Sequence, residues 1–425
     1  MRRQVLRCRL CSRSTVAVVV NVVFVAPYAM EATNRFLAAF VATDGARVAV
    51  VSSDPLERIP EPLRDRLAAH WRVDDCLDVD QLAHGVGSVG ARLGGVDVLT
   101  GILEPLQVPL AHVRERLAIP GMDAATAENF RDKARMKAVF EAAGIPCARN
   151  ARVDSADAAR RAFHDWQTPV VVKPLAGMGA RSTFRLDDGA AVERWLVQTP
   201  PHADAPVLME EFLTGREFSF ESVLVGGELV WHSICRYDPT PLTVVENPWI
   251  QWSVVLPRRI DGDEFAGIRA VGAEAVRALG MSTGLSHLEW FLRPDGSVAI
   301  SEVGARPPGA QIATLMSWAH DTDMYAAWAG LVVHGRFDPP ERRHAVGAAY
   351  LRAQGAGRHI TSVTGIEHVR AATNEMVVES KLPSRGAPRS ESYEGDGYVI
   401  VRGDSSDDVD AALREIISVI RVECD

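Results

Sequence analysis

Between Gly284 and Gly309 the chain reads GLSHLEWFLRPDGSVAISEVGARPPG. Two apolar, strand-like segments flank a Pro-Asp-Gly turn. Each carries one acid, Glu289 and Glu302, where a half-buried strand would otherwise place an apolar or small polar side chain. A hairpin sets those carboxylates side by side, where they repel and shift in pKa unless a cation lies between them, and hard oxygen ligands favour Mg²⁺. Arg306 follows four residues after Glu302, placed to hold a phosphate or carboxylate oxygen beside that metal. The competing reading is a surface hairpin with solvated acids, and three further segments bear on the choice.

The first, VVVKPLAGMGARS from Val170 to Ser182, is an apolar strand ending in Lys173 and followed by a loop with Gly177 and Gly179. Glycine lets backbone N–H groups approach a ligand closely, so a strand-end lysine beside such a loop is one way to grip phosphates, although the order is not that of a P-loop. The second, RDKARMK from Arg131 to Lys137, places Lys133 and Lys137 on one face of a helix. In the third, VLMEEFLTGREFS from Val207 to Ser219, a buried strand passes through a connector into another strand. Such a hinge exposes backbone groups that can read an adenine edge between apolar walls, with Glu217 available to ribose hydroxyls. Taken alone, each has a plain alternative: a solvated lysine, a charged surface helix, acids at a strand end.

These segments need a scaffold. From the start to about residue 120, strand and helix signals alternate: Val18–Ala26 strand, Glu31–Thr43 helix, Arg47–Ser52 strand, Asp78–Leu93 helix, Val96–Gly101 strand, Leu106–Leu117 helix. That alternation predicts a doubly wound parallel sheet, and no GxGxxG follows its first strand, so a dinucleotide site is unsupported. Ile119-Pro120-Gly121 breaks the pattern before a charged helix predicted over Glu128–Ala143, closed by Gly144 and Pro146. Mixed α+β signals follow to about residue 340. From Ala345 the pattern gives strands and a last helix over Ser406–Ile417.

A chain of 425 residues with 47% hydrophobic content supports two or three domains with their own cores. With 46 basic and 55 acidic residues, a net charge of −9 offers no general attraction for nucleic acid or an anionic membrane, so neither is expected as a partner. The six cysteines are scattered, which fits a reducing cytoplasm, and Cys8-x-x-Cys11 lacks the second pair a zinc site needs. The arginines before the apolar run Val16–Ala26 superficially resemble an export signal, but Pro27 and the following helix read as the end of a first buried strand. Elsewhere no apolar run reaches the roughly 18 residues a membrane span requires.

The order of the motifs says more than any one of them. RDKxxMKxxFxxAGIP, VVVKP with its glycine loop, MEEFLxGxEFS, HxE and SExGxRPPG run collinearly from about Gly121 to Gly309 and resemble the ATP-grasp superfamily. The resemblance extends to the flanking regions. It implies an N-terminal α/β domain over 1–120, a small nucleotide-binding lobe over 121–208, a catalytic lobe over 209–344 and a C-terminal lid region over 345–425. It further implies that Lys133 and Lys173 bind the α- and β-phosphates of ATP, with the loop Gly177–Ser182 closing over the triphosphate. Glu210, Glu211, Phe212 and Leu213 would form the adenine hinge, with Glu217 on the ribose. Glu289 and Glu302 would hold Mg²⁺ or Mn²⁺, and Arg306 would stabilise the transferred phosphoryl group or the tetrahedral intermediate. One departure stands out: many members carry Asn two residues after the second Glu, where this chain has Gly304.

The form of the last motif most resembles carboxylate–amine ligases that join amino acids. It implies a small-molecule carboxylate activated as an acyl phosphate and captured by an amine. Candidate substrate residues are His287, Glu104 at the end of the third strand, and Glu246 and Trp249 in the loop Val244–Trp252. Either acid could hold a substrate ammonium, and Trp249 could wall an apolar side chain. Two alternatives stay open. A purine-type ligase would bind a ribose phosphate at Arg236, Arg258 and Arg259, and a non-catalytic ATP switch would have Gly304 as its support. A homodimer is common among similar proteins, and the sequence leaves it open.

Overall fold

The computed structural model describes residues 19–177 and 182–425. Gly179 and the Cys8–Cys11 pair lie outside the described residues. The N-terminal domain holds four parallel strands in the order Ala69–Arg72, Ala46–Ser52, Val20–Val25, Val98–Thr100. Their apolar runs are continuous because both faces are covered. Val22, Phe24, Val48 and Val50 pack with Phe36 and Phe40 of helix Glu31–Ala42. Val23, Val25, Ala49 and Val51 pack with Leu82 and Val86 of helix Val79–Leu93 and Leu110 of helix Gln107–Leu117. The expected doubly wound sheet is therefore present. The edge strand Ala69–Arg72 was not foreseen: it is four residues long, half-exposed and carries a polar His and Arg.

The charged helix predicted over Glu128–Ala143 is two helices, Ala124–Arg131 and Lys133–Ala143. Asp132 lies between them at φ −89°, ψ 111°, and its carboxylate accepts the N–H groups of Ala134 and Arg135 as the N-cap of the second helix. The break turns the chain so that Arg131 and Lys133 reach the same neighbouring turn.

An antiparallel four-stranded sheet follows, ordered Asn150–Val153, Val207–Glu211, Val170–Pro174, Phe184–Leu186. Helices Ala156–Trp166 and Gly189–Gln198 cover it through Ala159, Val192, Trp195 and Leu196. The strand Val207–Glu211 belongs to this sheet and crosses the boundary expected between residues 208 and 209.

The rest centres on one antiparallel sheet of eight strands. Its order is Val298–Gly304, Gly284–Leu292, Arg216–Val225, Glu228–Asp238, Trp252–Leu256, Ala345–Leu351, Gly397–Gly403, Val377–Lys381. The C-terminal region therefore continues the sheet that carries the Gly284–Gly304 hairpin, joined by the pairing of Trp252–Leu256 with Ala345–Leu351. Among the described residues no helix is long and apolar enough to cross a membrane.

Helix Ile312–His320 carries a buried titratable group. His320 Nδ1 lies 2.7 Å from the Met316 carbonyl and so donates to it, leaving Nε2 to accept from Arg342 Nε at 3.3 Å. Burial, with Arg342 beside the ring, pulls the imidazole down from 6.5 to about 4. The folded value is depressed, so the unfolded chain alone takes up this proton between those values. The contribution is present above pH 6.5 and lost as pH falls towards 4, up to about 3 kcal/mol. His320→Gln should flatten the dependence of the unfolding midpoint on pH in that window; an unchanged slope would refute the assignment.

Candidate active site

The hairpin forms in the expected register, with Glu289 opposite Glu302 and His287 opposite Gly304. The neighbouring strand Arg216–Val225 adds a third row, with Glu221 beside His287, Ser219 beside Glu289 and Glu217 beside Phe291. Because side chains alternate along a strand, these residues share one face. The intervening Phe218, Phe220, Leu288 and Trp290 form the core on the other face, where Phe218 stacks on Trp290 at 4.8 Å. The polar face opens into a cleft of about 1720 Å³.

The cations enter this cleft from the smaller sheet and the helix beside it. Lys133 Nζ lies 3.2 Å from Glu302 Oε2, and Lys173 Nζ lies 2.5 Å from Glu210 Oε2. Burial would lower the Lys173 ammonium, but Glu210 and Glu302 outweigh it and hold the pKa above its ordinary value. Burial would raise the Glu302 carboxyl, yet Lys133 and Lys173 hold it at about 2. Glu217, buried and facing Glu289, is pushed well above the carboxylate range. Lys137 does not join the cleft: it is fully buried, donating to the Ile300 carbonyl at 3.0 Å and lying 2.8 Å from Glu210 Oε1. That last contact is an ion pair without hydrogen-bond angles.

The excess of acid at Glu217, Glu289 and Glu302 suits a divalent cation. Among the described residues, no three His, Cys, Asp or Glu gather as a self-sufficient metal site. Two carboxylates completed by phosphate oxygens and water are the ordinary setting for Mg²⁺, and the donor set fits that arrangement.

Arg306 reaches the same cleft from beyond the hairpin, held by Glu104 Oε2, which accepts from Nη2 at 2.7 Å and Nε at 3.2 Å. The other Glu104 oxygen accepts from Arg131 at 3.1 Å. Glu104 lines the cleft as expected, but both its oxygens serve arginines, which leaves it poorly suited to a substrate ammonium. His287 is held by Glu221 at 2.9 Å and lies 3.6 Å from Glu289; although burial opposes it, these two carboxylates raise the imidazole to about 9.

No family model matches the sequence. Alanine–anticapsin ligase of Bacillus subtilis is 27% identical over 242 residues, covering 52% of this chain and 50% of that protein. The chain thus spans about half the length of that curated relative. Among solved structures, L-amino acid ligase from Bacillus licheniformis superposes with TM-score 0.76 at 18% identity, covering 96% of this chain and 99% of that one. N5-carboxyaminoimidazole synthetase from Staphylococcus aureus complexed with ADP gives 0.69 at 15% identity, covering 94% and 97%. The whole architecture is shared with these ligases. The chain has the fold of these ligases.

Within the cleft, Gly177, Glu210, Glu211, Phe212, Leu213, Glu217 and Glu246 all line the wall. The Glu211 carboxylate is taken by Arg149 at 2.8 Å and Arg293 at 3.0 Å, and the Phe212 ring is covered by the Arg185 guanidinium at 4.1 Å. Ser182 is exposed at φ 55° and Trp249 is 61% exposed; neither lines the cleft. Trp249 is thus not brought to a substrate wall. Arg236 pairs with Asp410 at 2.6 Å, Arg258 donates to the Arg342 carbonyl and Arg259 faces Asp261, all outside the cleft.

A Cβ at Gly304 would meet Arg306 Cγ at 3.5 Å, an ordinary contact. Crowding at the Cβ therefore does not dictate glycine there. Sequence reasoning passed over Glu221, which period-2 alternation from Glu217 through Ser219 would have placed on the polar face. It also gave Arg131 no role, although Arg131 opens the motif that carries Lys133.

Proposed function

We propose that the chain is an ATP-dependent, ADP-forming carboxylate–amine ligase that joins amino acids or amino-acid-like substrates. The observation that carries this reading is the meeting of the register-paired Glu289 and Glu302 with Lys133, Lys173 and Arg306 in one cleft. In this scheme Glu210 to Leu213 frame the adenine, Glu217 meets the ribose, and Lys133 and Lys173 offset phosphate charge. A divalent cation held by Glu289 and Glu302 would supply further neutralisation of the phosphates.

The substrate carboxylate attacks the γ-phosphorus and the bond to ADP breaks. The amine then attacks the acyl carbon, phosphate leaves and the nitrogen loses its proton. Arg306 faces the charge that develops in both steps, so the chain's contribution is positioning and neutralisation. Glu246 lines the cleft with no ion-pair partner among the described residues and suits a substrate ammonium; His287 borders the same space. The four described cysteines are all unpaired, which supports a reducing compartment such as the cytoplasm.

The ribonucleotide alternative loses Arg236, Arg258 and Arg259, which lie away from the cleft. Arg352, Arg358 and Arg389, which line the cleft, are the support it keeps. Phosphate release from Mg-ATP, measured with amino acids singly and in pairs and with Glu302→Ala as blank, tests the proposal. Release that needs two amino acids is the expected result. Release only with a phosphorylated ribose would overturn it in favour of the purine-type reaction.

A further inference from the structure

We infer that Arg131 and Glu104 form a positioning bridge that fixes Arg306 and the turn behind Lys173 as one unit. The inference rests on the nucleotide-binding part of the reading above and adds a residue to it. Arg131 is the last residue of helix Ala124–Arg131. Its guanidinium donates to the Ala176 carbonyl at 2.7 Å, to the Gly177 carbonyl at 2.8 Å and to Glu104 at 3.1 Å. Two residues on, the Lys133 backbone N–H donates to the Leu175 carbonyl at 2.9 Å, and Lys133 Nζ lies 3.4 Å from the Gly177 carbonyl. Three consecutive carbonyls directly after Lys173-Pro174 are therefore held from one helix junction.

Glu104 is 6% exposed and comes from the N-terminal domain. It gives one oxygen to Arg131 and the other to Arg306. Two guanidiniums on one buried carboxylate leave a net positive charge facing the cleft, and each contact is charge-assisted and directional. Lysine at position 131 would keep the charge but lose the fork that spans two carbonyls and a carboxylate. The bridge thus predicts that Glu104, although occupied by arginines, affects nucleotide affinity through Arg131. A tie that merely joins domains predicts an effect on stability alone.

The test is a double-mutant cycle on the affinity of the full chain for Mg-ADP, measured by titration calorimetry alongside unfolding midpoints. Expected losses are about tenfold for Arg131→Ala, about fivefold for Glu104→Gln and still about tenfold for the pair, because one charge-assisted contact chain is cut twice. Arg131→Lys should hold the midpoint near that of the wild type without restoring affinity. Losses that multiply to about fifty-fold would overturn the bridge. So would Glu104→Gln binding Mg-ADP as tightly as the wild type or more tightly. A ligase assay that fails on every substrate leaves this cycle intact, so the two readings fail separately; a wild-type chain that binds no Mg-ADP would sink both.

Discussion

Glu302→Ala should lower ADP formation by about a hundred- to a thousandfold, the scale on which removing a group that stabilises developing charge acts. Glu302 is the acid whose environment is most specialised: its oxygen lies 3.2 Å from Lys133 Nζ, and Lys133 and Lys173 hold its carboxyl at about 2. The carboxylate is therefore ionised near neutral pH, ready for a cation without a proton to displace. Removing it strips one of two facing oxygen donors and leaves Lys133 without its ion-pair partner. Glu302→Gln discriminates between these losses. It keeps volume and an oxygen for Lys133 but not the charge, and should be nearly as inactive as alanine. A glutamine variant with more than about a tenth of wild-type turnover would show that Glu302 acts through Lys133 and not through a cation. Activity is measured as ADP release at saturating Mg-ATP, with the unfolding midpoint recorded to exclude collapse of the hairpin.

The hairpin was legible because two independent signals agree there: a turn of known chemistry and acids that break an apolar alternation on either side of it. Register then follows, since a slip of either strand by one residue would turn its carboxylate into the core of Phe218 and Trp290. The doubly wound sheet was legible for a similar reason, as continuous apolar strands alternate with amphipathic helices. What escaped depends on distant partners. Asp132 sits in an unbroken helical pattern, and its use as a cap is decided by the turn Leu175–Gly177 that the next residues must grip. Glu104 and Arg306 are 202 residues apart, so nothing local says that the acid is already occupied. Trp249 shows the reverse error: an aromatic residue in a polar loop suggests a binding wall, yet the loop turns it 61% into solvent. Lys137 was legible as a cation on the face of Lys133, but not as a buried one, because its counter-ion Glu210 comes from another sheet.

That buried cluster sets the second large effect, which concerns stability. Glu210 is 4% exposed and lies between Lys137, fully buried, and Lys173, 8% exposed. Three charges removed from water survive only because the carboxylate offsets both ammoniums, and Glu302 also helps to hold the Lys173 charge. Glu210→Ala leaves two buried cations facing a cavity and should cost about 3–5 kcal/mol, the range for breaking a buried pair from one side. Lys137→Met removes the surplus charge instead, leaving a matched Lys173–Glu210 pair and an apolar chain of similar length. Its cost should be well under half as large, with the freed Ile300 carbonyl as the main loss. Urea unfolding of the two variants gives the comparison. Because Lys137 does not line the cleft, Lys137→Met should also bind Mg-ADP within about threefold of the wild type, whereas Glu210→Ala loosens Lys173 and should not. Equal destabilisation by the two changes would mean that Lys137 and Glu210 act as a simple pair and that Lys173 draws its counter-charge from Glu302 alone.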